Sequence, residues 1–223
     1  MAPPVGPTGV ISCSGDGHPD RPADAGVRVG LGYSHSWTDL AFHAGPDVAI
    51  ARDAVVVTGD KRLTRKSSVQ IGAGGAPSGS MTTSGSSHSI GPGWLLFGSL
   101  TYRILDGQKL APFVLASFSF GASAARTVDD RDRTRSAHLY AIDFRAGLTV
   151  GKTFWDVVSP YVAARVFGGP VLWKFEGNAV LGTDKYHYQP AVGAVLSLGP
   201  ADVFAEWAFL GERALGAGVG VSF

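Results

Sequence analysis

Cysteine is nearly missing from this sequence: Cys13 stands alone. An internal disulfide and a multi-cysteine metal site are both excluded. Charge is also sparse, at 17% of 223 residues with a net charge of +1. No basic field exists to hold a nucleic-acid backbone by counterion release, so nucleic acid is not an expected partner. Long hydrophobic runs are missing as well. Hydrophobic residues make up 45% of the chain, yet no stretch approaches the roughly 20 uninterrupted apolar residues of a membrane-crossing helix. A chain of this kind that entered a bilayer would have to cross it as a barrel. The opening Met1-Ala2-Pro3-Pro4 has neither the basic start nor the following apolar segment of about 7–15 residues of a cleavable signal.

Glycine, in contrast, is abundant, at 31 residues, and it weakens helices wherever it is scattered. The reading is therefore all-β. Residues 1–25, rich in Pro, Gly and Asp without an apolar period, are expected to be a flexible N-terminal leader, with one domain over 26–223. From Val27 onwards the chain alternates. Val27, Val29, Leu31 and Tyr33 are separated by Arg28, Gly30 and Gly32, and similar faces recur around Val69, Leu100, Phe118, Ile142, Val162, Val192, Val203 and Val219. The second face is dominated by Gly, Ser, Thr, Gln and isolated charges, with very little Lys or Glu, which suits a packed lumen better than a wetted surface.

The expected architecture is an antiparallel transmembrane β-barrel of ten strands, with eight or twelve allowed. Short turns at 59–61, 106–108, 151–157 and 199–201 would lie on one side. Loops at 39–47, 76–91, 124–135 and 173–186 and a short turn at 210–212 would lie on the other. The strand at 48–58 is the irregular member, because Arg52 and Asp53 interrupt both of its faces. Trp94, Trp155, Trp173, Tyr102, Tyr161, Tyr186 and Tyr188 fall near inferred strand ends, where aromatic girdles form.

The last strand, Ala217-Gly218-Val219-Gly220-Val221-Ser222-Phe223, ends on an aromatic residue with apolar residues at every second position. It resembles the C-terminal signal of bacterial outer-membrane β-barrel proteins. Residues 26–223 as a whole resemble the small OmpA-type and porin-like barrels. The resemblance implies the cell outer membrane as location, its lipid as surroundings, and the barrel-assembly machinery as a partner that reads Phe223. Surface-loop partners stay unassigned.

Inward-facing charges are expected at Arg28, Arg103, Asp143, Arg145, Arg165 and Glu206. A buried charge must be paired or hydrated, so they form either an ion-pair network that plugs the lumen or a narrow pore in which four arginines outnumber two carboxylates. Enzymatic barrels of this membrane need a placed nucleophile and base, or paired acids. The His-x-Ser of the deacylases and phospholipases does not occur. Ser34-His35-Ser36 and His88-Ser89 place the two types side by side, on opposite faces of a strand. Asp129, Asp130 and Asp132 with His138 are interleaved with Arg126, Arg131, Arg133 and Arg135, which reads as a solvated, charge-balanced loop. Lys174, Glu176, Asp184, Lys185, Tyr186 and His187 make a poor metal set. No catalysis, cofactor or metal is expected. The alternative is a soluble lipocalin-like barrel with its apolar face inward around an apolar ligand.

Overall fold

The computed structural model describes residues 26–43, 47–83, 85–107, 111–132, 134–175 and 178–223, so the leader expected at 1–25 lies outside the described residues. Among the described residues there is no helix. Thirteen strand segments build one antiparallel sheet. They are β1 (Val27–Phe42), β2 (Val48–Arg62), β3 (Ser67–Ala76), β4 (Gly79–Thr82), β5 (Ser87–Asp106), β6 (Phe113–Asp129) and β7 (Ser136–Gly151), followed by β8 (Val158–Gly168), β9 (Val171–Phe175), β10 (Asn178–Asp184), β11 (Tyr188–Leu198), β12 (Ala201–Ala208) and β13 (Arg213–Ser222).

The sheet closes on itself where β1 pairs with β13 from Arg28↔Ser222 to Trp37↔Arg213. Three interrupted pairs each serve as one wall strand: β3 with β4, β8 with β9, and β10 with β11. The ring therefore has ten strands. The β12–β13 hairpin is short, however, and stops at its turn 209–212. Beyond that turn β10 closes directly onto the tip of β1, Leu40↔Asp184 to Phe42↔Gly182. The barrel thus narrows from ten strands to eight towards the end opposite the C-terminus. Gly211 permits the tucked turn, since it has φ +68° and a Cβ there would overlap the Tyr188 carbonyl oxygen.

Side-chain parity places the membrane. On the ten-stranded part the large apolar residues point outward, with Leu31, Ile71, Leu100, Phe118, Phe144, Val166 and Trp207 about half exposed or more. Water does not tolerate a continuous apolar belt of that extent, whereas lipid requires it. The soluble-barrel alternative is overturned by this orientation. Towards the eight-stranded end the faces exchange roles. Leu40, Phe42, Val48, Ile50, Met81, Ile90, Leu139, Val171 and Trp173 pack inward as one cluster, while Asp39, Ser80, Ser87, Ser89, Arg126, Ser136, His138 and Lys174 face outward. This end is a collar built like a water-soluble barrel. A tilted strand needs about 9–11 residues to cross a bilayer, and β1, β2, β5, β6 and β7 have 15 to 20.

Several sequence-based boundaries are corrected by this collar. Within the expected loops 39–47, 76–91, 124–135 and 173–186, residues 39–42, 79–82, 87–91, 124–129, 173–175 and 178–184 are strand, because alternation of apolar residues continues into them with the opposite face buried. Gly59-Asp60-Lys61 is not a turn: β2 runs on to Arg62 and reverses at 63–66. Trp173 and Tyr161 are not girdle residues. Both are buried inside the barrel, since their positions have lumen parity. Arg52 and Asp53 do not break β2; they point to opposite sides, Arg52 into the interior and Asp53 outward beside His35, Tyr33 and Ser78.

Candidate functional site in the barrel interior

The wall brings the inward charges together in three knots. Nearest the C-terminus, Arg28 on β1 donates from Nε to Asp202 Oδ2 at 2.8 Å and from Nη1 to Asp60 Oδ2 at 3.2 Å, with Nη2 on Asp202 Oδ1. Asp60 is its direct neighbour on β2, but Asp202 lies beyond β13. The guanidinium reaches it by lying over Gly220, where a Cβ would overlap it. Glycine in the lumen is thus a gap through which a long side chain crosses a strand.

The second knot repeats the device. Register aligns Tyr161 on β8, Gly193 on β11 and Glu206 on β12. The Tyr161 ring crosses Gly193 and donates its hydroxyl to Glu206 Oε2 at 3.0 Å. Arg165 grips the same carboxylate with both ends of its fork, Nη1 to Oε1 at 2.7 Å and Nη2 to Oε2 at 2.6 Å, and Nη1 also donates to Gln189 Oε1 at 3.1 Å. Bidentate charge-assisted bonds of this length are the strong kind. Gln189 Nε2 donates onward to the Glu212 backbone oxygen at 3.0 Å.

The third knot lies at the level of the tucked turn. Arg145 donates from Nε to Asp143 Oδ2 at 2.6 Å and from Nη2 to Glu212 Oε2 at 2.8 Å, and its guanidinium stands 5.0 Å from the centroid of the Phe167 ring. Glu212 is fully buried. Asp184 at the end of β10 is buried as well.

Of the six sequence-derived residues, Asp143 and Arg145 meet in one knot, Arg165 and Glu206 in another, and Arg28 forms a third with partners that alternation did not supply. Arg103 sits at the mouth, where Arg62 and Thr101 also line the wall. The missed residues are Asp60, Asp202, Asp184, Glu212, Gln189, Tyr161 and Arg52. Parity was the available signal. Asp60 continues the even-numbered inner face of Val56 and Thr58, Asp202 that of Glu206, and Glu212 that of Ala214. With them counted, arginine no longer outnumbers carboxylate among the described residues of the interior, and the excess that favoured an anion-selective lumen is gone.

Apolar packing lies on both sides of these knots. The collar cluster closes one end, with Leu40 and Met81 inaccessible to water and Trp173 donating Nε1 to Thr127 Oγ1 at 3.1 Å. Phe113, Leu115, Tyr161, Ala163 and Val195 pack in the lower part.

Outside the lumen, the acidic residues near the collar rim are taken up locally. Asp130 accepts from the Ser89 hydroxyl at 2.5 Å, which holds it below the usual carboxylate range. Asp132 accepts from the Thr134 hydroxyl at 2.6 Å with the same effect, and Arg135 lies 3.2 Å away. Asp129 accepts from the Arg131 backbone N–H at 2.8 Å. His138 is on the outer wall, stacked on Tyr140. Lys185 pairs with Asp47 at 2.5 Å, which raises its pKa. Glu176 and Arg133 lie outside the described residues. Among the described residues no group of three metal-ligating side chains occurs.

Phe223 is exposed, and its backbone N–H donates to the Val27 carbonyl at 3.0 Å, fastening the chain end to the closing seam.

No protein-family model matches the sequence, and no curated protein matches it. Solved structures do match in shape. The outer membrane protease OmpT from Escherichia coli superposes with a TM-score of 0.58 at 9% identity, over 89% of this chain and 97% of that one. The translocator domain of the autotransporter NalP from Neisseria meningitidis gives 0.51 at 12% identity, over 89% and 88%. At such identities the likeness is one of fold, and the fold is that of the bacterial outer-membrane β-barrels.

Proposed function

We propose that the chain is an integral outer-membrane barrel of structural or surface-interaction type, closed to solutes and without catalysis. The observation that carries this reading is the filled interior: three ion-pair knots lie on the inner wall between apolar clusters, and the collar residues Leu40, Met81, Val48 and Val171 are inaccessible to water. A narrow barrel of about this strand number is readily filled by its own side chains. The collar, polar outside and rigid through its own core, is a surface suited to contacts beyond the membrane. Absence of catalysis is supported by the local satisfaction of the rim acids and by the placement of His35 and His138 on the outer wall, away from the lumen. Lipid surrounds the belt, and the barrel-assembly machinery is the partner for the Phe223 strand during insertion.

Conductance across a planar bilayer tests the reading. Purified protein is expected to give no steady ion-selective current above that of the bare membrane. Steady single-channel steps from the wild-type protein would overturn closure and restore the narrow-pore reading.

A further inference from the structure

The third knot gathers more negative charge than its arginine balances. Among the described residues Arg145 stands with three carboxylates: Asp143 beside it on β7, Glu212 in the turn 209–212, and Asp184 at the end of β10. All three carboxylates are at most 3% exposed. Arg145 takes one oxygen of Asp143 and one of Glu212, while Asp143 Oδ1, Asp184 Oδ1 and Glu212 Oε1 have no hydrogen-bond partner among the described residues. The other charged or titratable groups in reach are Arg165 and His187. Arg165 grips Glu206 with both ends of its fork, and His187 directs Nδ1 to the Phe167 carbonyl at 3.1 Å. An ionised carboxylate buried without a counter-charge is costly, and such a group takes up a proton instead.

Topology decides which of the three can move. Asp143 and Asp184 belong to strands paired on both sides, β7 between β6 and β8–β9, and β10 between β9 and β1. Glu212 belongs to the turn of the short β12–β13 hairpin. That turn is docked by the Arg145–Glu212 pair, by Gln189 Nε2 donating to the Glu212 carbonyl at 3.0 Å, and by the Phe209 N–H donating to the Pro190 carbonyl at 3.3 Å. Repulsion within a fully ionised knot is therefore relieved most easily by withdrawing the turn. Burial, with Asp143 and Asp184 adding to it against Arg145, holds the Glu212 carboxyl above its ordinary range. A raised pKa in the docked state means that docking is complete below the ordinary carboxylate pKa and weakens as pH rises through the raised value.

We propose that the turn 209–212 is a proton-operated latch: Glu212 enters the barrel carrying a proton, and ionisation of the knot expels the turn. The latch concerns the docking of one turn, so its test is independent of conductance. Hydrogen exchange at the Phe209 N–H, which the bond to Pro190 protects, is followed on the full chain folded in zwitterionic detergent, from about pH 5 to about pH 9, and corrected for the intrinsic pH dependence of exchange. Protection is expected to fall towards the alkaline end, about tenfold for each unit by which the docked carboxyl exceeds its free pKa. Amides of the β6–β7 pair should keep theirs. Glu212→Gln, neutral at every pH and still able to accept from Arg145, should hold protection constant across the range. Asp184→Asn, which lowers the charge of the knot from a neighbouring strand, should move the loss to higher pH and serves if the first variant does not fold. Gel mobility before boiling shows whether each variant is folded. Wild-type protection that does not change with pH, or an unaltered loss in either folded variant, would overturn the proposal.

Discussion

A buried ion pair in this barrel is a packing device whose two halves depend on one another. Glu206 receives both arms of Arg165 and the Tyr161 hydroxyl, so its removal strands a buried guanidinium and a buried phenol together. Breaking such a pair from one side costs about 3–5 kcal/mol. Glu206→Ala is expected to destabilise the folded barrel by that order, read as a lowered urea midpoint for folding into vesicles; a change below about 1 kcal/mol would show that water replaces the carboxylate. The members of this knot differ in how visible they were beforehand. Arg165 and Glu206 stood out as charges inside alternating segments. Tyr161 did not, because an aromatic residue near a strand end is equally compatible with a lipid interface; its shared parity with Arg165 turns it inward, and the gap at Gly193 lets its ring cross to Glu206.

At the level of the strand, one period carries two environments. Along β6 the outward face runs from Phe118 and Phe120 to Arg126, while the inward face runs from Ser117 and Ser119 to Ala125 and Thr127. The exchange marks where lipid ends. Substitutions on the same outer face should therefore differ with height. Phe118→Arg places a charge in the lipid belt and is expected to cost about 2–4 kcal/mol. Ser80→Arg on the collar should stay within about 0.5 kcal/mol, as ordinary surface changes do. Equal effects in vesicle folding titrations would mean that the belt is misplaced. The same exchange explains why the sequence of the collar strands points to loops. Residues 87–91 and 124–129 alternate, but with small or polar residues outward, and a search for a greasy outer face passes over them.

For the whole molecule, closure is the property with a direct readout. A ring without a free edge, sealed along β1 and β13 and fastened by the Phe223 N–H on Val27, leaves denaturant no strand to peel. In SDS the unboiled protein is expected to migrate differently from the boiled one, with a β-rich circular dichroism spectrum; identical mobility would argue against a detergent-stable closed barrel. Alternation, glycine content and the shortage of long apolar runs were enough to fix the all-β class and the outward greasy face, because a strand's side-chain period is a local property of the backbone. The narrowing from ten strands to eight, the tucked Glu212 and the crossing of Gly193 and Gly220 were decided only in three dimensions. Each depends on which strands become neighbours when the sheet closes, and that is set by register around the whole ring, a quantity that no single segment contains.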